Sequence, residues 1–120
     1  MARSRASAKQ AGASFEKLVA DYLAVTIDDR IERRRLNGKN DRGDIGGLRV
    51  KGQRVVLECK DYGGRIEAGP WIKEAEVERI NDSALAGIVI AKRRGTTVPG
   101  EQFVIMSLQD LVALIEGKRI

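Results

Sequence analysis

The chain has 120 residues, enough for one domain, with 42 % apolar residues and only 4 % aromatic ones, so its core is expected to be aliphatic. It contains no histidine and a single cysteine, Cys59, which excludes histidine-ligated zinc, Ser-His-Asp or Cys-His catalysis and an intrachain disulfide. The net charge is +5, and residues 1–65 carry 15 basic and 9 acidic groups against 7 and 8 in the remainder, an asymmetry that points to a polyanionic partner such as nucleic acid.

Residues 1–9, with Arg3, Arg5 and Lys9 among Ser and Ala, read as a flexible basic tail, and residues 10–120 as the folded domain. Phe15, Leu18, Val19, Tyr22 and Leu23 recur at helical spacing and predict a helix over Gln10–Val25. A strand is expected over Arg30–Leu36 with Ile31 as its anchor, followed by a polar loop from Asn37 to Gly43. Asp44–Val50 and Arg54–Lys60 read as two strands joined by a turn at Lys51-Gly52-Gln53, the second covered on both faces because Val55-Val56-Leu57 are consecutive. Pro70 fits the first turn of a helix that continues through Ile80. Gly87–Ala91 and Phe103–Met106 are further strands. Ser107, with Asp110 in the capping-box position and Gly117 as the stop, delimits a last helix. The order α-β-β-β-α-β-β-α predicts a single α/β domain around a central mixed sheet flanked by helices. No apolar run reaches the ~18 residues of a membrane span, and no secretory signal precedes the domain, so a cytoplasmic protein without membrane partner is expected.

Glu58-Cys59-Lys60 is the informative segment. On a strand Glu58 and Lys60 share one face and Cys59 takes the other. Two charged groups on an apolar strand either pair with each other or line a site. A hairpin would bring Asp44 beside Glu58. A divalent cation relieves the repulsion between two such carboxylates, and magnesium suits one or two carboxylates plus water and phosphate oxygens. A neighbouring Lys60 can then polarise water or offset charge on phosphorus. Asp41 is a competing acid. Asp44 is preferred because it precedes Ile45 at the expected strand start.

Gly43-Asp44-Ile45, a spacer and Glu58-Cys59-Lys60 resemble the signature of the PD-(D/E)XK nuclease superfamily, and Gly12-Ala13-Ser14-Phe15-Glu16 resembles the Gly-x-x-x-Glu region of archaeal-type Holliday junction resolvases and related phage nucleases. The family's proline before the aspartate is Gly43 here. The resemblance spans roughly Gly12–Lys92. It implies a restriction-endonuclease-like αβββαβ core. Asp44 and Glu58 would be metal ligands, Glu16 a further carboxylate at the metal, and Lys60 the catalytic lysine. The cofactor would be Mg2+, with Mn2+ as substitute. The implied function is endonucleolytic cleavage of branched DNA by a homodimer, in a prokaryotic or phage setting. A restriction- or repair-type nuclease on duplex, flap or single-stranded DNA is the alternative, and a non-catalytic DNA-binding module is the reading from another class. Glu16 has a solvent-facing helix position as its plainer reading.

Candidate DNA contacts are Arg30, Arg33, Arg34, Arg35, Lys39 and Arg42 before Asp44, Tyr62 and Arg65 in the glycine-rich loop, and Lys92, Arg93 and Arg94. The plainer alternatives are a solvated charged strand, a tyrosine packed over its own loop and a soluble hairpin tip. Trp71 is expected as a packing anchor, Cys59 as a small core residue and Ser107 as a helix cap.

Overall fold

The computed structural model describes residues 3–34 and 41–120. Helix α1 (Arg5–Thr26) starts earlier than the apolar stripe indicates. The Ser4 side chain accepts a hydrogen bond from Ser7 N, and the Ala-rich opening favours helix. The segment expected as a flexible tail is therefore helical from Arg5, although Arg5–Gln10 stay exposed and add nothing to the core. Phe15, Val19 and Ala20 form the buried stripe of α1.

Strand β1 (Glu32–Arg33) is shorter than expected, and Arg35 to Asn40, which include the end of the expected strand, lie outside the described residues. The single strand expected over Asp44–Val50 is two, β2 (Ile45–Gly46) and β3 (Arg49–Val50), because two successive glycines interrupt the ladder at Gly46-Gly47. Lys51 and Gly52, both at positive φ, form a two-residue turn whose twist matches the hairpin it closes. Strand β4 (Gln53–Lys60) follows, then α2 (Ala68–Asn81), β5 (Ala86–Ala91), a short 3-10 turn (Pro99–Glu101), β6 (Phe103–Ile105) and α3 (Leu108–Glu116). Pro70 falls in the first turn of α2, where no intrahelical N–H bond is lost. Ser107 caps α3 by accepting from Asp110 N, and Gly117 ends it in the left-handed region. The reciprocal half of the expected capping box is not made. The Asp110 carboxylate instead accepts from Gly87 N at 3.0 Å and from Arg119 at 2.7 Å.

The protein is an α/β domain with a mixed sheet and, among the described residues, three α-helices. Sheet order is β1-β2-β4-β5-β6, with β3 also on β4. Every pairing is antiparallel except β4–β5, which is parallel and is bridged by α2. Alternation divides β4 and β5 between two layers. Val55, Leu57, Cys59 and Ile88 join Phe15, Val19 and Ala20 of α1 in the larger core. Val89 and Ala91 pack with Trp71 and Ala75 of α2 in the smaller one. At Gly87 a Cβ would stand 2.5 Å from Ala75 O, so helix and strand approach backbone to backbone. No helix among the described residues is long and apolar enough to cross a membrane.

Candidate metal centre

The β2–β4 pairing places Ile45 opposite Leu57 and brings Asp44 to the C-terminal half of β4. Asp44 N donates to Leu57 O at 2.9 Å, and Asp44 Oδ2 accepts from Cys59 N at 2.8 Å. Gly43 makes this approach sterically feasible. Its φ is +91°, and a Cβ there would stand 2.7 Å from Val56 Cγ1 and 2.9 Å from Leu57 O. Neither proline, fixed at negative φ, nor any bulkier residue fits this backbone.

Glu58 is 5 % exposed and points to the α2 side of the sheet. Burial, followed by contact with Asp44 and Glu78, pushes its carboxyl well above the usual range. Glu78, from α2, is 1 % exposed. Neither of its oxygens has a hydrogen-bond partner among the described residues. Its pKa is pushed up to about 8, mainly by burial; contact with Glu58 lowers it, and the neighbouring Asp41 and Glu74 raise it. One carboxylate oxygen each from Asp41, Glu58 and Glu78 lie within 4.8 Å of one another. This acidic cluster could hold a metal ion. Its all-oxygen donor set suits a hard divalent cation, and no N–H donor among the described residues reaches the Glu78 oxygens.

Of the four residues expected at the centre, the fold brings Asp44 and Glu58 together and leaves Lys60 on the same face as Glu58. Lys60 Nζ donates to both oxygens of Glu74, at 2.7 and 2.8 Å. Burial pulls its pKa down, but Glu74 and Glu58 outweigh that and hold the ammonium protonated. Glu16 sits on the other layer, on α1. Its carboxylate accepts from Arg33 at 3.2 Å, and burial together with the Asp44 charge raises its pKa. Neither Glu16 nor Asp44, whose Oδ2 is turned to Cys59 N, is part of the Asp41–Glu58–Glu78 cluster. Asp41, set aside on sequence grounds, is.

The expected nucleic-acid contacts separate into groups. Arg34, Arg42 and Arg54 line a groove of about 380 Å³ with Asn81, Asp82 and Ser83. The buried Asp82 holds Arg34 at 3.3 Å and Arg54 at 3.7 Å, while Asn81 Nδ2 donates to Asp41 O at 2.9 Å. The groove therefore abuts the acidic cluster. Arg30 and Arg33 flank an adjoining hollow that shares Arg34, although Arg30 is paired with Asp28 and Arg33 with Glu16. Arg35 and Lys39 lie outside the described residues. Tyr62 packs edge-on against Trp71, ring centroids 5.1 Å apart, with Arg65 over its ring. Arg94 donates to Gly63 O, Arg93 lies over Phe103, and Lys92 Nζ donates to Arg93 O and Thr96 O. Lys92 thus braces its own loop, while Arg94 ties that loop to the Gly63-Gly64 turn and Tyr62 ties its loop to α2. Trp71, Cys59 and Ser107 take the packing and capping places expected of them.

Sequence reasoning missed Glu74, Glu78, Asp82 and Arg54. A signal existed for two of them. Trp71, Ala75, Glu78 and Asp82 recur at helical spacing, so the two acids continue the buried stripe of α2. Compared with known protein families, curated proteins and solved structures, the chain matches none.

Proposed function

We propose that the protein is a Mg2+-dependent DNA endonuclease with a restriction-endonuclease-like core, acting on branched DNA in the manner of a Holliday junction resolvase. The observation that carries this reading is the convergence of Asp44, Glu58 and Lys60 at one end of β4, with Glu58 buried among further carboxylates. With β2 and β3 taken as one bent strand, the order from α1 to β5 is α-β-β-β-α-β, as the motif implies.

Glu58 with its acidic neighbours Asp41 and Glu78 would hold the cation, with Asp44 alongside Glu58 and Mn2+ serving as a substitute. When bound, the cation supplies positive charge against the phosphodiester and its attacking water. Lys60, kept protonated by Glu74, stands ready to exchange that partner for water or for a phosphate oxygen. Arg34, Arg42 and Arg54 form the phosphate-binding groove beside the carboxylates. Phosphate contacts position a substrate without reading its sequence, which favours recognition by DNA shape. A two-fold symmetric four-way junction would require a homodimer.

The Lys60–Glu74 ion pair favours a second reading, a non-cleaving DNA-binding module, because it occupies the ammonium. Matched four-way junction, flap, duplex and single-stranded substrates separate the two. Mg2+-dependent cutting of the junction is expected. Glu58→Gln and Lys60→Ala should each lower it by at least about a hundredfold, the scale of losing one electrostatic stabiliser, while DNA binding persists. Binding without cleavage in Mg2+ or Mn2+ establishes the module reading, and equal cutting of linear duplex removes junction selectivity.

A further inference from the structure

We propose that Glu78 of α2 is a ligand of a divalent cation seated between helix and sheet, with Glu58 of β4 and Asp41 of the preceding loop as its co-ligands. The inference deepens the nuclease reading and rests on it only in making this cation the one used in cleavage.

Two independent features carry the inference, and a third accounts for the second. The first is geometric: the three residues each bring an oxygen within 4.8 Å of the others, from three separate segments. The second is that Glu78 is 1 % exposed and both its oxygens lack a partner. A buried carboxyl in that state either keeps its proton or needs a positive group to answer its charge. The third is that several nearby basic side chains are committed elsewhere. Lys60 is bonded to Glu74, Arg34 and Arg54 are held by Asp82, Arg79 donates to Ala84 O and pairs with Glu76, and Arg119 is bonded to Asp110. No ammonium or guanidinium among these reaches the Glu78 oxygens.

Asp41 is fixed in place for the role. Its Oδ1 accepts from Gly43 N at 2.9 Å, and its backbone oxygen accepts from Asn81 at the end of α2. The loop is thus tied to the helix that carries Glu78. Three carboxylates with water completing the shell make a seat for a small, hard divalent ion of the Mg2+ or Mn2+ class. A bound ion would cross-link α2 to β4 and would move the ligand set from the α1 side, where Glu16 pairs with Arg33, to the α2 side.

The competing account is that Glu58 and Glu78 share a proton and need no metal. Titration of the full chain with Mn2+ alone, without nucleic acid, at neutral pH and with free Mn2+ read by electron paramagnetic resonance, decides between them. One Mn2+ per chain is expected. Glu78→Gln should weaken it about tenfold or more, since even residues that only orient a ligand cost on that order. Asp21→Asn, on the exposed face of α1, is the control and should bind as wild type. Wild type that takes up no Mn2+, or Glu78→Gln with wild-type affinity, overturns the proposal. Circular dichroism checks the fold of the variant. Should Glu78→Gln fail to fold, Asp41→Asn decides instead, because Asp41 is exposed, and unchanged affinity there overturns the proposal equally. Mn2+ bound through Glu78 in a protein that cuts no DNA would sink the nuclease reading and leave this site standing. Mg2+-dependent cleavage by a protein whose Mn2+ affinity ignores Glu78→Gln would do the reverse.

Discussion

Neighbouring residues of β4 meet opposite environments. Val55, Leu57 and Cys59 face α1 and are sealed by Phe15, Val19 and Ala20. Glu58 and Lys60 face α2, whose Trp71 and Ala75 are interleaved with Glu74 and Glu78. The first layer is filled by apolar groups, whereas the second mixes apolar groups with acids. The helix on the second layer is therefore two things at once: a cover for the small core and a contributor to the acidic cluster. A single strand can stabilise the fold with one edge of its pleat and hold destabilising charge with the other, because the period of two keeps the two sets apart.

The largest expected effect tests this division directly. Leu57→Ala should lower stability by about 2–5 kcal/mol in urea unfolding, the usual range for a buried leucine that leaves a cavity. Glu58→Gln, one residue on, should raise the midpoint of the metal-free protein, since it removes one of several crowded carboxyls. Equal losses at both positions would erase the distinction between the faces.

The next effect is the pH response of the metal-free chain. Glu78 ionises at a higher pH folded than unfolded, so the native state binds the extra proton between 4.5 and about 8. Stability should be full below that interval and fall as pH rises through it, and Glu58 acts in the same sense. Urea midpoints measured across pH with a chelator present check this, and Glu78→Gln should flatten the slope. A flat wild-type profile would mean that the α2 face carries no burden from its acids.

Smallest is the α1 side. Glu16→Gln removes a half-exposed ion pair with Arg33 and should cost less than about 1 kcal/mol while leaving Mn2+ affinity unchanged. A large loss of Mn2+ would return the cation to the α1 layer.

The elements were largely legible because their signals are local. The stripe from Phe15 to Leu23, the Val55-Val56-Leu57 run, Pro70, Ser107 and Gly117 each act within a few residues. The early start of α1 was obscured because Ala and Ser carry no apolar period. The break at Gly46-Gly47 was hidden inside an otherwise strand-like stretch. At the site, the 44–58 pairing followed from one hairpin. The α2 contribution did not, because Lys73-Glu74-Glu76-Glu78 looks like a solvated face until the position of Trp71 fixes which side is inward. Asp41 depended on a long-range tie, from Asn81 to its backbone, that no spacing reveals.

Gly87 has a mechanical consequence. The gap between α2 and β5 is set by a missing methyl group, with Ala75 O where a Cβ would otherwise stand. That contact acts as a spacer of fixed thickness beneath the helix. Gly87→Ala would lift α2 like a shim pushed under a beam, carrying Glu74 and Glu78 outward with their carboxyl groups unchanged. Such a change would spread the acidic cluster without altering any group that titrates, so a residue with no functional side chain helps to set the distance between the functional ones.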